Sequence, residues 1–214
     1  MTKRLLTRTL MRLALAAIVM AAVTARAAEF TPGVHYFTLK EPQAVQTGSQ
    51  VEVLELFWYG CPHCYDLEPY LEKWVKTKSE NAEYVRLPAV LRRSWALHAR
   101  AFYTFEALNV LDKLHRDFFD EIHKRKNRIQ NTEQLESFVV QRGIDKEQFY
   151  EAYNSFAVDS KLRNAQLMSA RYEANGVPAI VVDGKYRATA SSAGGFQELM
   201  QLVNHLVEKA AAER

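Results

Sequence analysis

The sequence predicts an α/β fold interrupted by a helical insertion, and three observations carry the prediction. Residues 34–88 contain short runs rich in Val, Tyr, Phe and Leu, bounded by turn residues, as strands require. From about Ser94 to Glu173 the apolar residues recur at the three- and four-residue spacing of helices. Beyond residue 176 a continuous apolar run and an Asp-Gly pair return the pattern to strand, turn and strand.

Taken in order, residues 34–39 suit a first strand, and Thr47-Gly48-Ser49 a turn before a strong strand at 51–57. Gly60 punctuates that strand, and a helix is expected over 62–78. Pro62 is harmless in its first turn, where the missing N–H has no helical partner. Pro69 lies deeper and is expected to kink it. Residues 83–87 suit a short strand closed by Pro88.

In the helical stretch Phe102, Phe105 and Leu108 share a face. Asn131 reads as an N-cap with Gln134 as its capping-box partner, Gly143 as a stop and Asp145 as the start of the next helix. A further helix is expected over 159–173, and the apolar faces read as core. Then come a strand at 177–182, a two-residue hairpin turn at Asp183-Gly184, and a second strand at 185–187. Gly194-Gly195 precedes a closing helix with Leu199, Leu202, Val203 and Leu206 at helical spacing. The order is β-β-α-β, four or five helices, then β-β-α.

The chain has 214 residues, with 28 Lys and Arg against 25 Asp and Glu. The positive excess is local. Residues 1–27 carry Lys3, Arg4, Arg8, Arg12 and Arg26 and no acidic residue, so the other 187 residues have a net charge of −2. This argues against a nucleic-acid partner for the body of the protein. A basic start, an apolar run over 13–23 and Ala25-Arg26-Ala27 have the layout of an export signal cleaved after Ala27. Eleven apolar residues, at about 1.5 Å each, fall well short of a hydrocarbon core of roughly 30 Å. The expectation is a cleaved signal peptide at 1–27 and a mature protein in an oxidising compartment.

The mature chain is long enough to bury a core without disulfide staples, and eleven Phe, ten Tyr and three Trp supply the material. Its two cysteines are Cys61 and Cys64. A loop of two residues constrains almost nothing in the unfolded chain, so the pair reads as chemistry, not stability. A closed zinc site needs four ligands, and no second Cys pair or neighbouring His pair supplies them, so no metal is expected. At a helix start, Cys61 meets the first-turn N–H groups and their partial positive charge. Both favour thiolate over thiol, and His63 adds a cation and a donor when protonated. A stabilised thiolate favours the reduced pair and makes its disulfide an oxidant of other thiols. Cys64, one turn in, should be buried and less acidic.

The run Phe57-Trp58-Tyr59-Gly60-Cys61-Pro62-His63-Cys64-Tyr65, with Gly176-Val177-Pro178-Ala179 and Asp183-Gly184-Lys185-Tyr186, resembles the DsbA family of periplasmic thiol:disulfide oxidoreductases. The resemblance implies an α/β architecture, a thioredoxin fold with an inserted α-helical domain. It divides the chain into a signal peptide (1–27), a first thioredoxin-fold part carrying the Cys pair (28–93), the helical insertion (94–174) and a second thioredoxin-fold part with the cis-proline loop (175–214). It implies that Cys61 is the attacking cysteine and Cys64 the resolving one. Pro62 and His63 then set the redox poise, and Pro178 is a cis-proline facing the pair, with Val177 before it. A proline that merely starts a strand is the alternative for Pro178.

Glu55 falls on the same strand face as Val51, Val53 and Phe57, where an apolar residue is expected. It is either an exposed edge residue or, as the resemblance implies, an acid beneath the active site that moves a proton for Cys64. Glu68 is expected in the same charge group. Arg86 stands near the family's buried basic partner, in an uncertain register, and Pro88 departs from the expected pattern. Trp58 and Tyr59 are either core or substrate surface. The resemblance further implies reduced exported proteins as substrates, re-oxidation by a DsbB-type, quinone-linked inner-membrane partner, and a monomer. No flavin or nicotinamide motif is present, so no cofactor is expected beyond the Cys61–Cys64 disulfide itself.

Overall fold

A computed structural model describes residues 30–214. The expected export signal at 1–27 lies outside the described residues. Strand β1 is Tyr36–Thr38, β2 Val51–Phe57 and β3 Ala82–Pro88, with helix α1, Pro62–Thr77, between β2 and β3. A 3-10 turn at Arg93–Trp95 leads into five helices: α2 (Ala96–Ala107), α3 (Leu111–His123), α4 (Thr132–Val140), α5 (Lys146–Tyr153) and α6 (Phe156–Arg171). Strands β4 (Ala179–Val182) and β5 (Tyr186–Ala188), the short α7 (Ala190–Ala193) and the long α8 (Phe196–Ala212) complete the chain. Among the described residues no helix is long and apolar enough to cross a membrane.

The sheet order is β1-β5-β4-β2-β3, with β2 and β3 parallel and the other pairs antiparallel. β2 lies inside the sheet and all seven of its residues are buried, which is why it reads as a continuous apolar strand broken only by its glutamates. Alternation splits the core. Val51 and Val53 pack with Leu67, Leu71 and Trp74 of α1 and with Leu199, Leu202 and Leu206 of α8. Leu54 and Leu56 face the inserted helices, where Phe102, Phe105, Phe118 and Phe119 gather. The result is a sheet with helices on both faces, the inserted helices supplying one cover.

Several boundaries differ from the sequence reading, each for a local reason. β1 is shorter than 34–39 because a turn consumes its start. Gly33 has φ +78, and Val34 and His35 both donate to the Thr31 carbonyl. Helix α6 starts three residues before Asp159, because the Ser155 side chain caps it by accepting from Val158 N–H. It stops short of Glu173, which has φ +52. Asn131 caps α4 as expected, but the side chain of Gln134 accepts from Gln130 N–H instead of Asn131 N–H. The turn α7 was not anticipated; Thr189 and Ser192 form its capping box, and Gly194 at φ +103 ends it. Helix α1 runs through Pro69 without interruption.

The hairpin between β4 and β5 is as the Asp-Gly pair predicts. Asp183 and Gly184 have φ +52 and +62, both central residues of the turn being left-handed. Gly184 is also required by space: a Cβ there would stand 2.1 Å from the Gln43 carbonyl oxygen.

Candidate active site

β2 ends at Phe57, and the next four residues turn so that Cys61 becomes the N-cap of α1. The turn is closed by Cys61 N–H donating to the Trp58 carbonyl at 2.9 Å. Gly60 permits it, because the Trp58 indole folds over this position and a Cβ would meet the ring at 2.3 Å. Pro62 occupies the first helical turn, with no acidic residue in that turn to oppose a negative charge. The Cys61 thiol donates to the Val177 carbonyl at 3.4 Å, across from the cis Val177–Pro178 bond. The proline loop thus faces the pair, and Pro178 is not a strand residue, since β4 begins at Ala179. Both cysteines are free thiols.

The environment separates the two sulfurs. Cys61 is lowered to about 6, chiefly because the Cys64 thiol donates to it; burial opposes this, and the backbone N–H groups of Cys64 and His63 and the nearby His63 reinforce it. Cys64 is fully buried and is pushed well above the ordinary thiol value, first by burial, then by its bond to Cys61 and the fields of Cys61 and Glu55. His63 itself is exposed.

Glu55 is completely buried and lies opposite Arg86 in the parallel register of β2 and β3. Register therefore places Arg86 as the basic partner, whatever the change at Pro88. The Arg86 guanidinium bridges Glu68, at 3.3 Å, and Glu55, at 3.7 Å. The Tyr84 hydroxyl donates to Glu55 Oε2 at 2.5 Å, while Glu55 Oε1 has no hydrogen-bond partner. Burial, then the Glu68 charge, raise Glu55 to about 8 against the pull of Arg86 and Tyr84. Burial also raises Glu68, but the His115 hydrogen bond, His115, Arg86 and Arg116 outweigh it and hold Glu68 below the usual range. Two carboxylates beside one guanidinium cannot both ionise freely, and this pair is split into an acid and an anion.

Two cavities flank the Cys pair, and Cys61 itself lines the second. One, of about 420 Å³, is lined by Phe37, His63, Val177, Pro178 and Phe196. The other, of about 480 Å³, is lined by Trp58, Cys61, Pro62, Leu91, Trp95 and Val177. Of the two aromatic residues before Gly60, Trp58 is half-buried, stacked on Trp95 at 4.5 Å, and borders the second cavity. Tyr59 is fully buried among Phe57, Phe118 and Phe119 and belongs to the core.

Sequence reasoning missed three groups. His115 of α3 bridges the Tyr59 hydroxyl and Glu68, His123 of the same helix approaches the Tyr59 carbonyl at 2.8 Å, and Tyr84 caps Glu55. One signal was present. Leu111, Leu114, Phe118, Phe119 and Ile122 form the apolar stripe of α3, and His115 interrupts it. Cys61, Pro62, His63, Val177 and Pro178 meet around the start of α1, with Cys64, Glu55 and Glu68 buried beneath them.

A family profile described as DSBA-like thioredoxin domain matches residues 79–207. The chain is 38% identical over 190 residues to the thiol:disulfide interchange protein DsbA of Pseudomonas aeruginosa, covering 89% of this chain and 90% of that one. It is 36% identical over 208 residues to the Burkholderia cepacia protein of the same name, covering 97% of each. The crystal structure of Pseudomonas aeruginosa DsbA superposes with a TM-score of 0.81 at 39% identity, over 86% of this chain and 97% of that one.

Proposed function

This chain belongs to the DsbA-like family of thiol:disulfide oxidoreductases, and we propose that it works as a dithiol oxidase that donates its Cys61–Cys64 disulfide to newly exported proteins. One observation carries the direction of the reaction: the Cys61 sulfur sits at a helix N-terminus with its pKa lowered to about 6. A thiolate so stabilised favours the reduced pair and makes the disulfide a strong oxidant.

The cycle begins with a substrate thiolate attacking Cys61 Sγ of the oxidised pair. The S–S bond breaks, and its electron pair goes to Cys64 Sγ, which leaves toward the interior. Cys64 has a raised pKa and needs a proton there, and Glu55, neutral at pH 7 by its raised pKa and with a free Oε1, supplies it. The second substrate thiolate then attacks the substrate sulfur of the mixed disulfide. Cys61 departs as a thiolate, and a substrate disulfide and a reduced enzyme remain. Glu68 holds Arg86 in place beneath the pair. Val177 and Pro178 present backbone to the incoming chain, and Pro62 and His63 set the poise through the helix start.

Reduced exported proteins are the substrates, reached in the periplasm after removal of a signal peptide at 1–27. The two electrons leave to a DsbB-type, quinone-linked membrane partner, and the protein works as a monomer with no cofactor beyond its own disulfide. Nucleic acid plays no part. The test is stoichiometric: the oxidised protein should convert a reduced, unfolded dithiol substrate to its disulfide, and Cys61→Ser should abolish the conversion. Undiminished conversion after alkylation of Cys61, or no conversion by the oxidised protein, would defeat the oxidase reading.

A further inference from the structure

Beneath the active site the structure holds a buried histidine that the exchange cycle above does not use. His115 lies on α3, in the inserted helices, 5% exposed, with Phe57 and Phe119 edge-on to its ring at 5.3 Å each. Both ring nitrogens are engaged: Nδ1 is 2.8 Å from the Tyr59 hydroxyl and Nε2 is 3.2 Å from Glu68 Oε1. The chemistry of the partners orients the ring. A carboxylate only accepts, so Nε2 carries the proton, and Nδ1 accepts from Tyr59. Tyr59 in turn is fixed at its carbonyl by His123. With Oε1 held by His115, Glu68 offers Oε2 to Arg86. The side chains then run without a break from Tyr59 through His115, Glu68, Arg86 and Glu55 to Tyr84.

We propose that His115 is a positioning residue for disulfide exchange: its Nε2–H clamps Glu68 against Arg86 as the anion of the carboxylate pair and leaves Glu55 as the member that carries and releases the Cys64 proton. The proposal rests on the proton role of Glu55 given above. Its logic is competition for one guanidinium. If Glu68 lost the His115 donor it would become the better proton acceptor, and its charge would no longer hold the proton on Glu55. The groups that bear on this exchange are few. Glu55 faces Tyr84, Arg86, Glu68, Cys61 and Cys64; Glu68 faces Glu55, His115, Arg86 and Arg116; His115 faces Tyr59, Glu68, Arg86 and Arg116. Burial keeps the imidazole neutral by lowering its proton affinity, which is the form that can donate to Glu68 and accept from Tyr59 at once.

The test follows ¹³C signals of the Glu55 and Glu68 carboxyl groups and ¹⁵N signals of the His115 ring against pH, together with the pH profile of exchange. In the unaltered protein Glu55 should titrate near 8 while Glu68 stays ionised, and the ring should remain protonated on Nε2 alone. In His115→Phe the Glu55 midpoint should fall by about one pH unit, and the corresponding limb of the exchange profile should move with it. His115→Gln, which keeps an N–H donor, should restore most of the original midpoint. A folded His115→Phe protein with the Glu55 midpoint unmoved, or a parent ring protonated on Nδ1, overturns the proposal. Should His115→Phe fail to fold, the ring tautomer and His115→Gln decide it. Failure of the proton role itself is separable: Glu55→Gln would then leave the exchange profile unchanged, whichever way the carboxyl midpoints respond to His115.

Discussion

Cys61 and Cys64 are one helical turn apart and are driven in opposite directions, because Cys61 receives the Cys64 thiol and two backbone N–H groups that outweigh its burial, whereas burial dominates at Cys64. The lowered Cys61 pKa has a consequence for the reduced protein. A group depressed in the folded state stabilises it above its ordinary pKa, and the gain is lost as pH falls toward the folded value. For a thiol lowered from 9.0 to about 6, the gain in the reduced form should shrink as pH falls from 9 to 6, from a full extent of roughly 4 kcal/mol. Denaturant melts of the reduced and oxidised proteins across that range measure it; equal changes in both would contradict the thiolate argument. His63→Ser should raise the Cys61 pKa, seen as a thiolate absorbance titrating at higher pH, since the field of the imidazole is removed while the backbone N–H stays. Glu55 works in the other sense. Raised to about 8, it costs the folded state stability as pH climbs from about 4.5 through 8, so Glu55→Gln should raise the melting temperature more at pH 8 than at pH 5. The Cys pair was legible because its chemistry is local, and Glu55 because it breaks an alternation. Arg86 needed the strand register, and His115 is brought to Glu68 by a fold spanning 47 positions, which no local pattern encodes.

At the scale of elements, α1 supplies the N-terminus that receives Cys61, and α3 buttresses the turn before it. Phe119 is fully buried against Tyr59, Phe57 and His115, so Phe119→Ala should cost about 3–5 kcal/mol and loosen the residue two places before Cys61. Thermal or denaturant unfolding checks the first expectation. The Cys61 titration checks the second, and an unchanged midpoint would separate α3 from the site. The cap of α4 is a simpler case: Asn131→Ala should cost about 1 kcal/mol, because the Gln134 N–H loses its acceptor. Elements defined by their own side chains, such as β2, the Asp183-Gly184 hairpin and α8, were legible in the sequence. β1 and the start of α6 were displaced by short-range hydrogen bonds at Thr31 and Ser155 that compete with the longer pattern.

For the whole molecule, one sheet covered on both faces places the Cys pair where α1, the proline loop and the inserted helices converge. The positive excess of the full sequence lies in residues 1–27, and the remaining 187 residues have a net charge of −2. A net charge this small gives the body no strong overall field of one sign. This arrangement stabilises the reduced pair and so makes the disulfide an oxidant. Its most direct test is the equilibrium of the Cys61–Cys64 pair with a glutathione buffer at pH 7. The pair should be reduced readily by glutathione, being more oxidising than the glutathione couple. A pair as reducing as that of thioredoxin would contradict it.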